Sequence, residues 1–351
     1  MVGLLRRLIV GSITFILIVF VLFIGFGTLA VLNLPRVVIP FRTFKVLLSH
    51  ISNFIGDIIV FCCRIIMYVM HQNSLRIYDE NQFDKSEWYI AMSNHQSWAD
   101  IFIILAAGNF RIPLIKFFMK KELSWIPFIY LANKTLNMPF VSRHSKKEIE
   151  ENPELRQIDY RNTLDACRRF KRSPSTVFSY AEGTRNNPDK YKAQNPPYKN
   201  LLNPKVGGMA TAISAIDNID TLVDFSLIYK TDKRSAWAFL NGDMKDVKVL
   251  IKKYKIPAHL KNKNYATDEK YRSDFKTWIE SIWEEKDKDI ERLKYYLLFT
   301  YNPAIRICIN PHARFYIYSI KIKFNRFLTK PPLLCFSCNW TLGKNSNWDC
   351  F

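Results

Sequence analysis

In the stretch AMSNHQSWADIF (Ala91–Phe102), His95 and Asp100 stand five positions apart, after an apolar run and beside Asn94, Ser97 and Trp98. A neutral imidazole is the usual side chain for taking a proton from a hydroxyl near neutral pH, and it works best when an acceptor holds its other nitrogen. Asp100 is the candidate acceptor. On one helix, at about 100° per residue, two positions five apart point in different directions. The pair therefore requires a strand, a turn at His95 and a helix beginning near Asp100. Taken alone, the same residues also read as a loop histidine followed by a helix-capping aspartate.

Two further groups support the first reading. Glu182, Gly183, Thr184 and Arg185 follow the apolar run TVFSY (Thr176–Tyr180). Glycine allows close backbone approach to a ligand, while a hydroxyl and a planar guanidinium suit a phosphate. Arg143 follows MPFVS (Met138–Ser142), a second arginine beyond a strand-like run. Together they outline an anion pocket beside a base. The sequence has no serine or cysteine in a nucleophile elbow, no Walker loop and no dinucleotide fingerprint.

The elements that must position these groups alternate. Strands are predicted at Trp88–Met92, Met138–Ser142, Thr176–Tyr180 and Leu222–Tyr229, and helices at Asp100–Ala107, Asp159–Lys171, Val206–Ile216 and Asp268–Leu293. In the last helix Tyr271, Phe275, Trp278, Ile279 and Ile282 share one face. Such alternation predicts an α/β domain with a mostly buried central sheet flanked by helices. Three of the strands end at the candidate motifs, where α/β sheets bind ligands.

Ahead of this domain, Leu8–Leu32 runs for 25 residues without a charge, enough to cross a bilayer as a helix. It is too long for a signal-peptide core and reads as an uncleaved anchor. Phe44–Met70 is again apolar but contains Lys45, Asp57 and Arg64, which favours a helix at the interface or packed beneath the domain. The expected organisation is 1–73 anchor and interfacial helix, 74–293 catalytic domain, and 294–351 a tail. That tail has eight Lys/Arg against Asp349 alone, interleaved with aromatics. The whole chain carries a formal charge of +20, so its partners are expected to be anionic; with an anchor present, a membrane surface fits better than nucleic acid. Seven scattered cysteines point to a reducing compartment, and the lone Cys335/Cys338 pair, with only His312 and Cys350 nearby, falls short of a zinc site.

Asn94-His95-x4-Asp100, Phe140-Val141-Ser142-Arg143, Glu182-Gly183-Thr184-Arg185 and the Val223–Ile228 strand stand in the order of the four blocks of the glycerolipid acyltransferases. The chain resembles the 1-acylglycerol-3-phosphate acyltransferase group, and most closely its bacterial inner-membrane branch, through NHQSWADI, MPFVSRHSK, AEGTR and NLLNPKVGGMA. The resemblance implies a cytoplasm-facing membrane enzyme. It would move an acyl group from acyl-CoA or acyl carrier protein to a lysophospholipid hydroxyl, with His95 as base, Asp100 orienting it, and no metal or redox cofactor. It also implies that Arg143 and Glu182–Arg185 hold the acceptor phosphate, with Lys120 and more weakly Lys205 adding charge. Lys116, Lys120 and Lys121 are expected to face lipid head groups. The chain departs from the family at Asn137, where relatives have glycine, at Tyr180-Ala181 in place of Phe-Pro, and in a fourth block without its proline. The rival reading is a membrane lipid-binding or scaffold protein on the same fold without turnover.

Overall fold

The computed structural model describes residues 2–300 apart from 40, 72–74, 80, 126–129, 131–132, 139, 142–145, 153, 168–169, 217, 245 and 262. Met1–Leu297 forms one compact unit and Leu298–Phe351 a second, of which only 298–300 are described. The basic aromatic tail beyond residue 300, with Cys335, Cys338, His312 and Cys350, lies outside the described residues.

The strands are β1 (Arg76–Asp79), β2 (Trp88–Ser93), β3 (Ile115–Phe117), β4 (Met119–Lys120), β5 (Phe140–Val141), β6 (Thr176–Tyr180), β7 (Ile219–Ile228) and β8 (Lys248–Lys255). The longer helices are α1 (Val2–Asn33), α2 (Arg42–His71), α3 (Asp100–Gly108), α4 (Glu154–Cys167), α5 (Gly207–Ala215) and α6 (Glu269–Thr300). Six strands make one sheet in the order β1-β8-β7-β2-β6-β3; β7 and β8 run antiparallel and the other neighbours parallel. The fold is α/β, with a central sheet flanked by helices.

β2 lies mid-sheet, which is why WYIAMS is apolar without alternation: each face meets a core. Ile90 and Met92 pack with α5 and with Tyr271, Phe275, Ile279 and Trp283 of α6. Tyr89 and Ala91 face the opposite way, toward Ile103 and Ile104 of α3 and Met67 of α2. The apolar face expected on the last helix is thus the one that covers the sheet.

Three expectations change. Within Met138–Ser142, expected as one strand, the described strand is Phe140–Val141, and it pairs with β4 in a separate two-stranded sheet, not in the central one. Pro139 has no N–H to give a ladder, and Asn137 adopts φ 57°, a left-handed turn that prevents extension upstream. That conformation also accounts for the departure at 137, because asparagine is the non-glycine residue best suited to it. Strands β1, β3, β4 and β8 have no counterpart among the expected strands; in β8 (KVLIKKYK) lysines hide a pattern whose Val249 and Ile251 are buried. Third, Lys116, expected at the head groups, is fully buried on β3.

Helices α1 and α2 are both long and apolar enough to cross a membrane. α2 also docks on the domain: Leu48, Ser52, Gly56, Ile59, Cys63 and Met67 make one buried face at helical spacing. Asn109 Nδ2 donates to the Asp57 backbone carbonyl (2.9 Å) and to Asp57 Oδ1 (3.2 Å), and Lys85 Nζ lies 3.7 Å from Asp57 Oδ2. These polar ties explain the charge found in the middle of an apolar segment: it serves protein contact on one face.

Candidate active site

The parallel register of β2 and β6 builds the site. Ser93 and Tyr180, the last residues of the two strands, are register partners, so the chain leaves both strands side by side toward His95 and Glu182. Asn94 continues the ladder with its side chain: Nδ2 donates to the Leu227 carbonyl (2.9 Å) and Oδ1 accepts from Leu227 N (2.8 Å). The turn after β2 is thereby pinned to β7 before the histidine is placed.

His95 Nδ1 lies 2.8 Å from Asp100 Oδ2. Asp100 opens α3 and is completely buried. The same Oδ2 accepts from Gln96 N (2.6 Å) and Ser97 N (3.0 Å), while Oδ1 accepts from the Tyr229 hydroxyl. Four donors converge on one carboxyl, the pattern of an ionised acceptor. Nδ1 must then carry a hydrogen, and the neutral ring keeps its lone pair on Nε2, the arrangement a general base needs. The strand–turn–helix junction required by the spacing is the one found.

One face of the His95 ring stacks on Tyr180, with centroids 3.9 Å apart and planes 16° from parallel. Tyr180 and Tyr229, neither singled out from sequence, so frame the pair. Burial, and then the Asp100 charge, push both phenols well above the ordinary tyrosine range, so both stay neutral, and Tyr229 donates to Asp100. Among the described residues the buried Tyr180 hydroxyl has no hydrogen-bond partner. Tyr180→Phe keeps the stack and removes an unmet polar group worth about 1–3 kcal/mol. Its thermal midpoint is expected to rise by about 2–4 °C; a fall in a thermal scan would show the hydroxyl to be engaged.

Glu182, expected among the phosphate ligands, serves the chain instead. It is fully buried; Oε2 accepts from His95 N (2.7 Å) and Oε1 from Leu202 N (2.9 Å). A buried carboxylate would repel a phosphate, whereas here it fixes the backbone at His95. Burial pushes its pKa up to about 7. Gly183 has φ 64°, and a Cβ there would lie 2.8 Å from Lys205 Cδ, so the glycine answers both to the turn and to Lys205 crossing it. Thr184 accepts from Lys190 Nζ, and the exposed Arg185 guanidinium lies 4.3 Å from the Trp98 ring centroid. Lys120 lies on β4 next to β5, with its side chain outside the described part; Arg143 lies wholly outside the described residues.

His95, Tyr180, Gly183, Thr184 and Arg185 line a cavity of about 1030 Å³. Beyond them its wall is mostly apolar, with Leu22 and Phe26 of α1, Ile59, Cys63 and Met67 of α2, Phe102 and Leu105 of α3, and Phe117 and Phe178 of the sheet; Arg64, Glu122, Asn133 and Ser179 are its polar exceptions. A base at the wall of an apolar chamber, with a guanidinium beside it, can activate a hydroxyl on an amphiphile. The two N-terminal helices are part of this chamber, which hydropathy alone could not show.

Residues 74–229, which hold β1 to β7 and every group of this site, match the Acyltransferase family. Over that stretch, less than half of its length, the chain is similar to the acyltransferases. No curated protein sequence matches the chain significantly. Among solved structures, the crystal structure of the 1-acyl-sn-glycerophosphate (LPA) acyltransferase PlsC from Thermotoga maritima is similar, at 15% identity and a TM-score of 0.49, over 82% of this chain and 98% of that one. Within residues 74–229 the four sequence blocks separate by position. The first and third meet at the cavity, the fourth is the β7 strand that anchors Asn94, and the second begins on β5.

Proposed function

We propose that the protein is a membrane-associated lysophospholipid acyltransferase that uses acyl-CoA or acyl carrier protein thioesters as donors. The observation that carries this reading is the His95–Asp100 pair on the wall of a large apolar cavity, with Arg185 beside it, inside the stretch that is similar to the acyltransferases. His95 Nε2 takes the proton of the acceptor hydroxyl as its oxygen attacks the thioester carbonyl. The tetrahedral intermediate collapses, the C–S bond breaks, and the imidazolium returns the proton to the departing thiolate. No acyl-enzyme forms, and the transfer as drawn needs no metal or redox cofactor. The apolar wall receives acyl chains, and its volume lies at the upper end of the usual range for ligand pockets, roughly 300–1,000 Å³.

Label transfer from radioactive acyl-CoA to a panel of lysophospholipids in vesicles tests this reading; a panel with no labelled product would leave the non-catalytic lipid-binding alternative. Arg185 supplies a second check. Exposed beside the cavity, it suits a phosphate that is present in ground and transition states alike, so its loss affects binding more than chemistry. Arg185→Ala is expected to raise KM for a phosphorylated acceptor about tenfold, with kcat within about threefold. An acceptor without phosphate should be nearly unaffected. A fall in kcat with KM unchanged would count against this role.

A further inference from the structure

Helix α6 closes the far side of the sheet, yet two of its side chains connect to the base. Trp283 Nε1 donates to the Leu202 carbonyl at 2.9 Å, and Leu202 N donates to Glu182 Oε1 at 2.9 Å. Glu182 Oε2 in turn accepts from His95 N at 2.7 Å. One helical turn beyond Trp283, Lys286 is completely buried, with its ammonium 4.7 Å from the Trp283 ring centroid. It donates to Asp224 Oδ1 at 2.8 Å and to the Phe225 carbonyl at 2.9 Å. Phe225 is the register partner of Ser93, two residues before His95.

We propose that Trp283 and Lys286 are positioning residues for His95, acting through Glu182. The inference rests on the reading of His95 as the base. A buried lysine is costly and persists only where charge balance requires it. Asp224 alone would balance Lys286, but the ammonium also stands on the Trp283 ring, behind the hydrogen bonds that run through Leu202 to Glu182, and from there its charge favours the ionised carboxylate. That form matters geometrically: ionised, Glu182 accepts from His95 and Leu202 at once. Protonated, it would set a hydrogen against one of those N–H groups and release it. The charges acting on Glu182 are Lys286 from α6, which favours its ionised form, and Asp100 from α3, which opposes it; His95 meets it through the backbone N–H, Lys205 crosses the adjacent Gly183, and Arg185 on the same loop stands exposed. Lys286 is the cation that opposes the effect of burial.

The test compares Lys286→Met/Asp224→Asn with wild type and with Trp283→Phe in a vesicle acyl-transfer assay, recording kcat, KM and pH profile, with thermal midpoints alongside. The double variant replaces a buried ion pair with neutral groups of similar size, which proteins often tolerate. Its acid limb is expected to move up by about one pH unit, because the cation beside Glu182 is gone. At pH 7 this lowers kcat on the order of tenfold, with acceptor KM within about twofold and recovery at higher pH. If Lys286 serves only to neutralise Asp224, the double variant regains wild-type kcat with an unmoved acid limb, and the proposal is overturned. Should the double variant fail to fold, Trp283→Phe decides. A lower kcat at constant KM supports the chain through Leu202, and an unchanged kcat refutes it. His95→Ala in the same assay keeps the two readings apart: an active His95→Ala protein removes the base assignment, whereas an inactive one beside a wild-type-like double variant removes only the positioning proposal.

Discussion

His95→Ala is expected to lower acyl transfer by on the order of 10²–10⁴, the usual worth of a general base. The fold should survive the change. Asp100 keeps Gln96 N, Ser97 N and the Tyr229 hydroxyl as donors, so its buried charge remains hydrogen-bonded. Glu182 contacts the backbone N–H of residue 95, which alanine retains. What disappears is the ring, with its Tyr180 stack and its lone pair. Measured kcat should collapse while the thermal midpoint moves little and membrane association persists. Turnover within a few fold of wild type would take His95 out of the mechanism.

Asp100→Asn should be nearly as damaging for a different reason. An asparagine oxygen can occupy the Oδ2 position and accept from His95, Gln96 and Ser97, while its amide faces Tyr229, whose hydroxyl can turn to accept. The histidine tautomer is thus preserved. The lost feature is the negative charge beside an imidazolium that forms only during reaction, in a buried site where little else compensates. A fall in kcat on the order of 10²–10³ is expected, with KM nearly constant. Asp100→Ala goes further, because it leaves all four donors unmet, and it should also destabilise the protein by about 3–5 kcal/mol. Equal kcat for Asp100→Asn and wild type would mean that the carboxylate only holds the ring in place.

Much of this was legible in the sequence because it is local. A spacing of five that no helix can satisfy forces a turn, and the apolar runs WYIAM and TVFSY set strands on either side of it, so the His95–Asp100 junction and the loop after β6 follow from residue type alone. The anchor length and the amphipathic face of α6 have the same local origin, in hydropathy and in the helical repeat.

Other features depend on partners far apart in sequence. That Glu182 grips the chain and not a phosphate was decided by burial between His95 and Leu202. That Tyr229 reaches Asp100 across 129 positions was decided by β7 lying beside β2. Lys116 reads as a surface lysine in IKF, and only its place on a covered strand buries it. Leu8–Leu32 reads as a membrane anchor and Phe44–Met70 as a helix at the interface or beneath the domain; that both wall the cavity appears only once α2 packs on α3 and the sheet. Residue type and spacing determine which chemistry can be carried and where the chain must turn. Which groups face the cavity, and which hold the chain behind it, is set by strand order and register, because those bring together side chains that sequence separation keeps out of view.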